Sequence, residues 1–299
     1  MTDVPDALAT PEQIARGLAA AGYLADERLS TTVWLASQLG RPILAEGEPG
    51  VGKTALAHAL ATLLDSELLR LQCHEGIDHD QAVAAWDHAR QLLHIRALEA
   101  SGDITSAAEM HDLLHHRDFL LQRPILAAVE QSTPQRPAVL LIDEIDRADD
   151  EFDAFLLEFL AEWSVTIAEY GTIRAAHPPL VILTSNRTRD LHDALRRRCL
   201  YQWFEYPGAD QVSAIVRQRH PELADDLATA VVAAATRLRS MCRRKPPGLA
   251  EVLDWADALA RLGVEELDGA AWWATSSTMV KDPDDAASLP PDLFDGFTS

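Results

Sequence analysis

The sequence predicts an α/β fold, a parallel sheet clad in helices, followed by a smaller all-helical unit. Three observations carry this. Arg41–Ala45, Val139–Ile142 and Leu180–Leu183 are short, nearly unbroken apolar runs, the pattern of strands covered on both faces. Helical periodicity alternates with such strands as far as Pro207. From Ala209 onward only helical periodicity remains, so the organisation changes near Pro207-Gly208. On this reading residues 1–207 form the α/β unit, with a helical insertion at about 74–123. Residues 208–280 form a helical lid, and 281–299 an acidic flexible tail.

Composition limits what the chain does. With 299 residues, 47% of them apolar, it can bury a substantial core, so wholesale disorder is excluded. A net charge of −21 opposes a nucleic-acid surface, which needs clustered Lys and Arg. Cys73, Cys199 and Cys242 are odd in number and lack metal or disulfide spacing, which suits a reducing cytoplasm. The opening MTDVPDALATPEQ has no basic start or apolar run, so no signal peptide is expected, and no stretch is long enough to span a bilayer.

In chain order, Pro11–Leu24 and Asp26–Leu39 read as helices before the first strand. A helix at Thr54–Leu64 and a strand at Glu67–Gln72 follow. Within the insertion, Val83, Trp86, Leu93 and Ala97 have the spacing of one buried helix face. This region also holds His74, His79, His88, His94, His111, His115 and His116. His111 and His115 lie four apart, but without a second ligand pair they read as solvated helix residues rather than a metal site. After the strand at 137–144, Phe152, Phe155, Leu156, Phe159, Leu160 and Trp163 form an apolar stripe read as core packing. Ser164–Glu169 and Thr172–Arg174 read as a hairpin, Leu180–Asn186 as a strand, Arg187–Leu195 as a short helical turn and Tyr201–Tyr206 as the last strand. Helices are expected at Asp210–Arg219, Leu223–Met241, Leu249–Leu262 and Leu267 to about Thr275. Phe294 and Phe297 in the tail read as a frayed end or a docking element.

The chemistry centres on Gly47-Glu48-Pro49-Gly50-Val51-Gly52-Lys53-Thr54, which fits G-x-x-x-x-G-K-[ST] between a strand and a helix. Such a loop turns backbone N–H groups toward phosphate oxygens at a helix N-terminus, with Ala55 completing the binding stretch. Lys53 is expected at the β- and γ-phosphates of ATP and Thr54 at Mg²⁺. Asp143 and Glu144 end a buried strand, where open α/β sheets bind ligands. Asp143 is the second metal-side group, and Glu144 the base or orienter of the attacking water. Asn186 ends another strand and serves that water or the γ-phosphate, or else caps a turn. Arg196-Arg197-Arg198 supplies guanidinium groups suited to phosphate or to surface ion pairs. Arg243-Arg244-Lys245 is a candidate for contact from the lid side.

Taken together, these residues resemble the AAA+ ATPases. GEPGVGKT (47–54) looks like Walker A, VLLIDEID (139–146) like Walker B, TSN (184–186) like sensor 1, and ALRRRC (194–199) like the arginine-finger segment. LQCHEGID (71–78), TIRAAHPPLVILTSN (172–186), LHDALRRRCLYQWFEYP (191–207) and KPPGLAEVLDWADAL (245–259) are similar to the MoxR subgroup linked to carbon monoxide dehydrogenase maturation. The resemblance spans roughly residues 22 to 282. It implies a homo-oligomeric, usually hexameric ring with ATP between subunits, and Arg198, or else Arg197, as the finger acting across the interface. It also implies a partner carrying a von Willebrand factor A domain and a client metalloenzyme of the molybdenum hydroxylase or carbon monoxide dehydrogenase type. One departure is that Pro247 stands where many relatives carry a sensor 2 arginine, which leaves Lys245 or Arg244 to substitute.

The resulting expectation is an ATP-hydrolysing remodelling protein. The alternatives are a nucleotide-gated scaffold with slow hydrolysis, a DNA-acting motor, which the negative charge opposes, and a small-molecule kinase, which the helical lid opposes.

Overall fold

The computed structural model describes residues 5–101, 106–290 and 293 of the 299-residue chain. Helices α1 (Pro11–Ala20) and α2 (Glu27–Leu39) precede β1 (Ile43–Gly47), and α3 (Lys53–Leu63) leads to β2 (Leu68–Gln72). The next segment holds α4 (His79–Ala82), β3 (Ala84–Trp86), α5 (His88–Ser101), α6 (Ala107–Leu114), β4 (Leu120–Gln122) and α7 (Pro124–Gln131). Then come β5 (Val139–Asp143), α8 (Asp150–Glu162), β6 (Ser164–Ile167), β7 (Gly171–Arg174), β8 (Leu180–Ser185), α9 (Asp193–Arg198) and β9 (Leu200–Phe204). The remainder is helical: α10 (Ala209–Arg219), α11 (Asp225–Met241), α12 (Leu249–Arg261), α13 (Gly269–Thr275) and α14 (Pro283–Ser288).

The main sheet has five strands in the order β2-β5-β8-β1-β9, all parallel. Its side chains alternate between two cores, as the period of two requires. Ile43, Ala45, Val139, Leu141, Leu180 and Ile182 face the layer of α1, α2 and α3. Leu44, Leu140, Ile142, Val181 and Leu183 face the layer of α7 and α8. Burying a Leu or Ile side chain fully is worth about 1.5–3 kcal/mol, so both faces of each central strand select apolar residues until the strand ends. That is why the runs become polar where they do, at Asp143 and Ser185-Asn186. The α/β core and the helical C-terminal part expected from the sequence are both present.

The insertion departs from expectation. Its supposed helix face is dispersed over three environments: Val83 is buried beyond α4, Trp86 pairs with Leu120 in an antiparallel β3–β4 ribbon, and Leu93 and Ala97 lie exposed on α5. Helix α5 buries only Gln91. Residues 102–105 of the insertion lie outside the described residues. The hairpin around Gly171 forms as β6–β7, and the aromatic stripe of α8 packs in the core through Phe152, Leu156, Phe159 and Leu160.

The helical turn expected at Arg187–Leu195 begins later, at Asp193, and takes the arginine run into its own last turn. Asp146 explains the delay: its carboxylate accepts from the Asn186 and Thr188 N–H groups, and Arg187 between them is left-handed (φ 58°). The backbone is therefore committed to a turn until His192 caps the helix.

The C-terminal helices enclose their own core, which includes Val216, Val231, Leu238, Val252, Trp255 and Met279. Tyr206 packs against both this core and the α1–α3 layer. The segment expected as a flexible tail instead contributes α14, whose buried Asp285 accepts from the Arg243, Arg244 and Lys245 N–H groups. Phe294 and Phe297 lie outside the described residues. Among the described residues, no helix is long and apolar enough to cross a membrane.

Candidate functional site

The glycine-rich loop joins the carboxyl end of β1 to the first turn of α3. Gly50 (φ 76°) and Gly52 (φ 99°) take left-handed conformations that other residues avoid, and these expose the loop's backbone to the cleft. Lys53, 6% exposed, donates from Nζ to Gly47 O (2.7 Å), Glu48 O (2.7 Å) and Asn186 Oδ1 (2.8 Å). Burial lowers its ammonium below the usual lysine range, opposed by the nearby charges of Asp146, Asp143, Glu144 and Glu46. Sequence-distant Lys53 and Asn186 are thus in direct contact.

Asp143 lies at the end of β5 and is 4% exposed. Its Oδ1 accepts from Thr54 Oγ1 (3.2 Å) and Thr184 Oγ1 (2.5 Å), which joins the β5 carboxylate to the first turn of α3. Thr184 also accepts from the Glu144 N–H (2.9 Å), so one hydroxyl registers both acidic residues. Glu144 is left-handed (φ 55°), a conformation rare for a side chain of this kind, which turns its carboxylate out of the strand direction. Its Oε2 accepts from Gln72 (2.9 Å) and Arg147 (3.0 Å).

The structure also brings beside these residues side chains that no motif marks. Arg70 and Gln72 project from the solvent-side face of β2, beside Asp143 and Glu144. Their signal was available: two polar residues spaced i, i+2 toward the carboxyl end of a strand that neighbours the acidic one. Glu46, 1% exposed at the end of β1, accepts from Arg196 Nη2 at 2.8 and 2.7 Å. Arg196 is therefore paired within the chain. A buried carboxylate at a strand end gave no sequence signal beyond its position before Gly47.

Two cavities meet at this loop. One of about 450 Å³ is lined by the loop, Lys53, Thr54, Arg70, Asp143, Glu144 and Asn186. The other, about 540 Å³, lies between Tyr23, Leu24, Phe204 and α10. Gly52, Ala55, Arg219, Leu249 and Leu253 line both, so the two form one bent cleft between the sheet and the C-terminal helices. The start of α12 closes it: Leu249 N donates to Gly50 O (2.9 Å), and a side chain at Gly248 would meet Gly50 Cα at 3.1 Å.

The basic run Arg243–Lys245 does not reach this cleft. Arg244 pairs with Asp284 (2.8 Å) and all three backbone N–H groups serve Asp285, while Arg219 of α10 is the arginine lining the cleft from the helical side. Nor do Arg197 and Arg198 line it. They border a separate depression with Leu39, Arg41 and Trp163, at the amino end of β1. Leu200 pairs with Ile43 there, and at about 3.3 Å per residue that end is roughly 15 Å from the loop. Arg41 donates to Arg198 O (3.0 Å) and Arg197 O (2.5 Å), holding the carboxyl end of α9.

The donor set fits a magnesium nucleotide: a hydroxyl and a buried carboxylate adjacent to each other, a buried ammonium, and a glycine-rich loop at a helix N-terminus. In the insertion, the His111 and His115 rings lie tilted against each other with centroids 4.3 Å apart, and His111 faces Glu169 (3.3 Å).

A family model described as "AAA domain (dynein-related subfamily)" matches residues 42–199. Among solved structures, one single-residue variant of Thermotoga maritima RuvB is 15% identical with a TM-score of 0.52, covering 96% of this chain and 76% of that one. Another variant of the same protein is 14% identical with a TM-score of 0.50, covering 99% and 77%. At such identities the likeness speaks for the fold alone.

Proposed function

The chain belongs to the AAA domain family (dynein-related subfamily), within the AAA+ ATPases, and from that premise we propose that it binds and hydrolyses ATP with Mg²⁺ to remodel a partner protein. The observation that carries this is Lys53, a buried ammonium whose partners are all neutral oxygens. A buried ammonium hydrogen-bonded only to neutral oxygens, in a glycine-rich loop at a helix N-terminus, is suited to an arriving anion.

In this reading Gly47–Thr54 and Ala55 cradle the phosphates, with Lys53 moving from carbonyl oxygens onto the β- and γ-phosphates. Thr54 and Asp143 would hold Mg²⁺, which supplies neutralisation of phosphate charge. Glu144 accepts the proton of the attacking water, and Asn186, already beside Lys53, orients that water or the γ-phosphate. The cleft between Tyr23, Phe204 and α10 takes the base. Arg198, with Arg197 as second choice, projects into a neighbour's site, which its distance from its own loop supports. We take residues 208–280 as a lid that closes on the nucleotide through Gly248 and Leu249.

At the finer level we assign the chain to the MoxR branch, on the stretches quoted above. The assignment brings a hexameric ring, a von Willebrand factor A domain partner, a metalloenzyme client and a cytoplasmic location. A nucleotide-gated scaffold is the second reading, favoured by the hold of Gln72 and Arg147 on Glu144. Turnover separates them. Lys53→Ala is expected to abolish binding of a fluorescent ATP analogue. Glu144→Gln should bind normally and lose about 10²–10⁴-fold in phosphate release. Equal, negligible turnover in wild type and Glu144→Gln would establish the scaffold instead, and strong stimulation by DNA at physiological salt would favour a motor. Co-purification with Glu144→Gln, which should hold the ATP state, would identify the client.

A further inference from the structure

The carboxylate of Asp143 has two oxygens with about four acceptor positions, and the protein fills all of them. Oδ1 takes the hydroxyls of Thr54 and Thr184, while Oδ2 takes Arg70 Nε (3.1 Å) and Nη2 (2.5 Å). Among the described residues Arg70 is the one cation paired with Asp143. A metal-side carboxylate is thus capped by a guanidinium on the oxygen that does not face Thr54.

The two partners differ in freedom. Asp143 is 5% exposed by side chain and anchored at the strand end, whereas Arg70 is 49% exposed and reaches across from β2 on a long, flexible stem. When the pair opens, Arg70 is the partner that moves. Its Nη2 also donates to Gln72 Oε1 (2.6 Å), and Gln72 Nε2 donates to Glu144 Oε2 (2.9 Å). The Gln72 amide is therefore oriented from both ends, with its oxygen toward Arg70 and its nitrogen toward Glu144.

We propose that Arg70 is a displaceable stand-in for the divalent cation, neutralising Asp143 until Mg²⁺ arrives. The inference rests on the nucleotide reading above. A cation held by Thr54 and Asp143 would stand on the Oδ1 side, close to the guanidinium on Oδ2, so repulsion between the two positive charges sets Mg²⁺ binding against the paired form of Arg70. In the metal-free state the guanidinium neutralises a buried carboxylate, and the Glu144 carboxylate is kept on Gln72 and Arg147.

The test is Mg²⁺ dependence of nucleotide binding, read without turnover. A fluorescent ADP analogue is titrated with Mg²⁺ against the full chain, wild type, Arg70→Ala and Arg70→Gln, from an EDTA-treated start. Both neutral variants are expected to reach half-saturation at about three- to tenfold less Mg²⁺, because the competitor is gone. Magnesium ADP should also raise their melting temperature by more than it raises the wild type's. An unchanged or higher Mg²⁺ requirement in the folded variant would overturn the proposal, the latter placing Arg70 on the phosphates instead. If Arg70→Ala does not fold, Arg70→Gln keeps a polar group in place and decides alone. Failure of the wild type to bind the analogue at saturating Mg²⁺ would sink the nucleotide reading itself.

Discussion

Thr184 shows how much one side chain does here. It is 1% exposed, donates to Asp143 and accepts from the Glu144 N–H, so the left-handed turn at Glu144 depends on a hydroxyl from the neighbouring strand. Thr184→Val keeps the shape and removes both bonds, leaving a buried carboxylate oxygen and an N–H without that partner. A loss of about 1–3 kcal/mol is expected in urea unfolding, together with a fall in ATP turnover at near-normal nucleotide affinity. Unchanged turnover would mean that Glu144 holds its conformation without this support. The cysteines stand at the other extreme. Burial pushes the thiols of Cys73 and Cys199 up to about 12, so they act as small apolar residues rather than nucleophiles.

Helix α9 has six residues and divides its arginines by direction. Arg196 turns back to Glu46 at the end of β1, and the other two face the opposite end of the sheet. Arg41, one residue before Pro42 and β1, donates to the carbonyls at the carboxyl end of α9, where a cation also complements the helix dipole. The arginine run is therefore tied at one end to Glu46 of β1 and at the other to Arg41, just before that strand. Under the finger role proposed for Arg198, Arg41→Ala should leave nucleotide affinity intact and lower turnover by about 10- to 100-fold, since small misplacements of a transition-state group are that costly. A parallel loss of affinity would show instead that β1 itself had shifted.

At the scale of the whole molecule, the C-terminal helices hold the cleft through a short chain of contacts. Asp285 of α14 fixes the 243–245 backbone, that loop delivers Gly248, and Gly248 rests on Gly50. Hydrogen bonds from the Lys245, Arg244 and Arg243 N–H groups hold the Asp285 carboxyl below the usual carboxylate range, that of Lys245 contributing most. A depressed folded pKa stabilises above the unfolded value of about 3.9 and loses that stabilisation as pH falls through the folded one. The stability gap between wild type and Asp285→Asn should then be full above about pH 5 and shrink below about pH 4, as urea midpoints would show. A gap independent of pH would assign it to packing. Sharing of sites between subunits is tested by mixing. Arg198→Ala should bind nucleotide without hydrolysis, and adding Lys53→Ala should restore part of the turnover. No recovery in confirmed mixed oligomers would place the finger in its own subunit.

Local chemistry determined much of this protein in advance. Gly47–Thr54 names its own conformation, because only glycine accepts the turn, and four-residue apolar runs name strands buried twice. The layers, the hairpin at Gly171 and the acidic end of β5 follow from such short-range rules. The insertion departs from its periodicity because spacing implies a buried face without supplying what covers it: Leu93 and Ala97 lie exposed on α5. The start of α9 was misread because Asp146, forty residues earlier, claims the N–H groups a helix would need. The capture of Arg196 by Glu46, the arrival of Arg219 at the cleft, and the capping of Asp143 by Arg70 belong to tertiary structure alone. Each joins residues far apart in the chain, and a charge has no partner in sequence until the sheet brings one within reach.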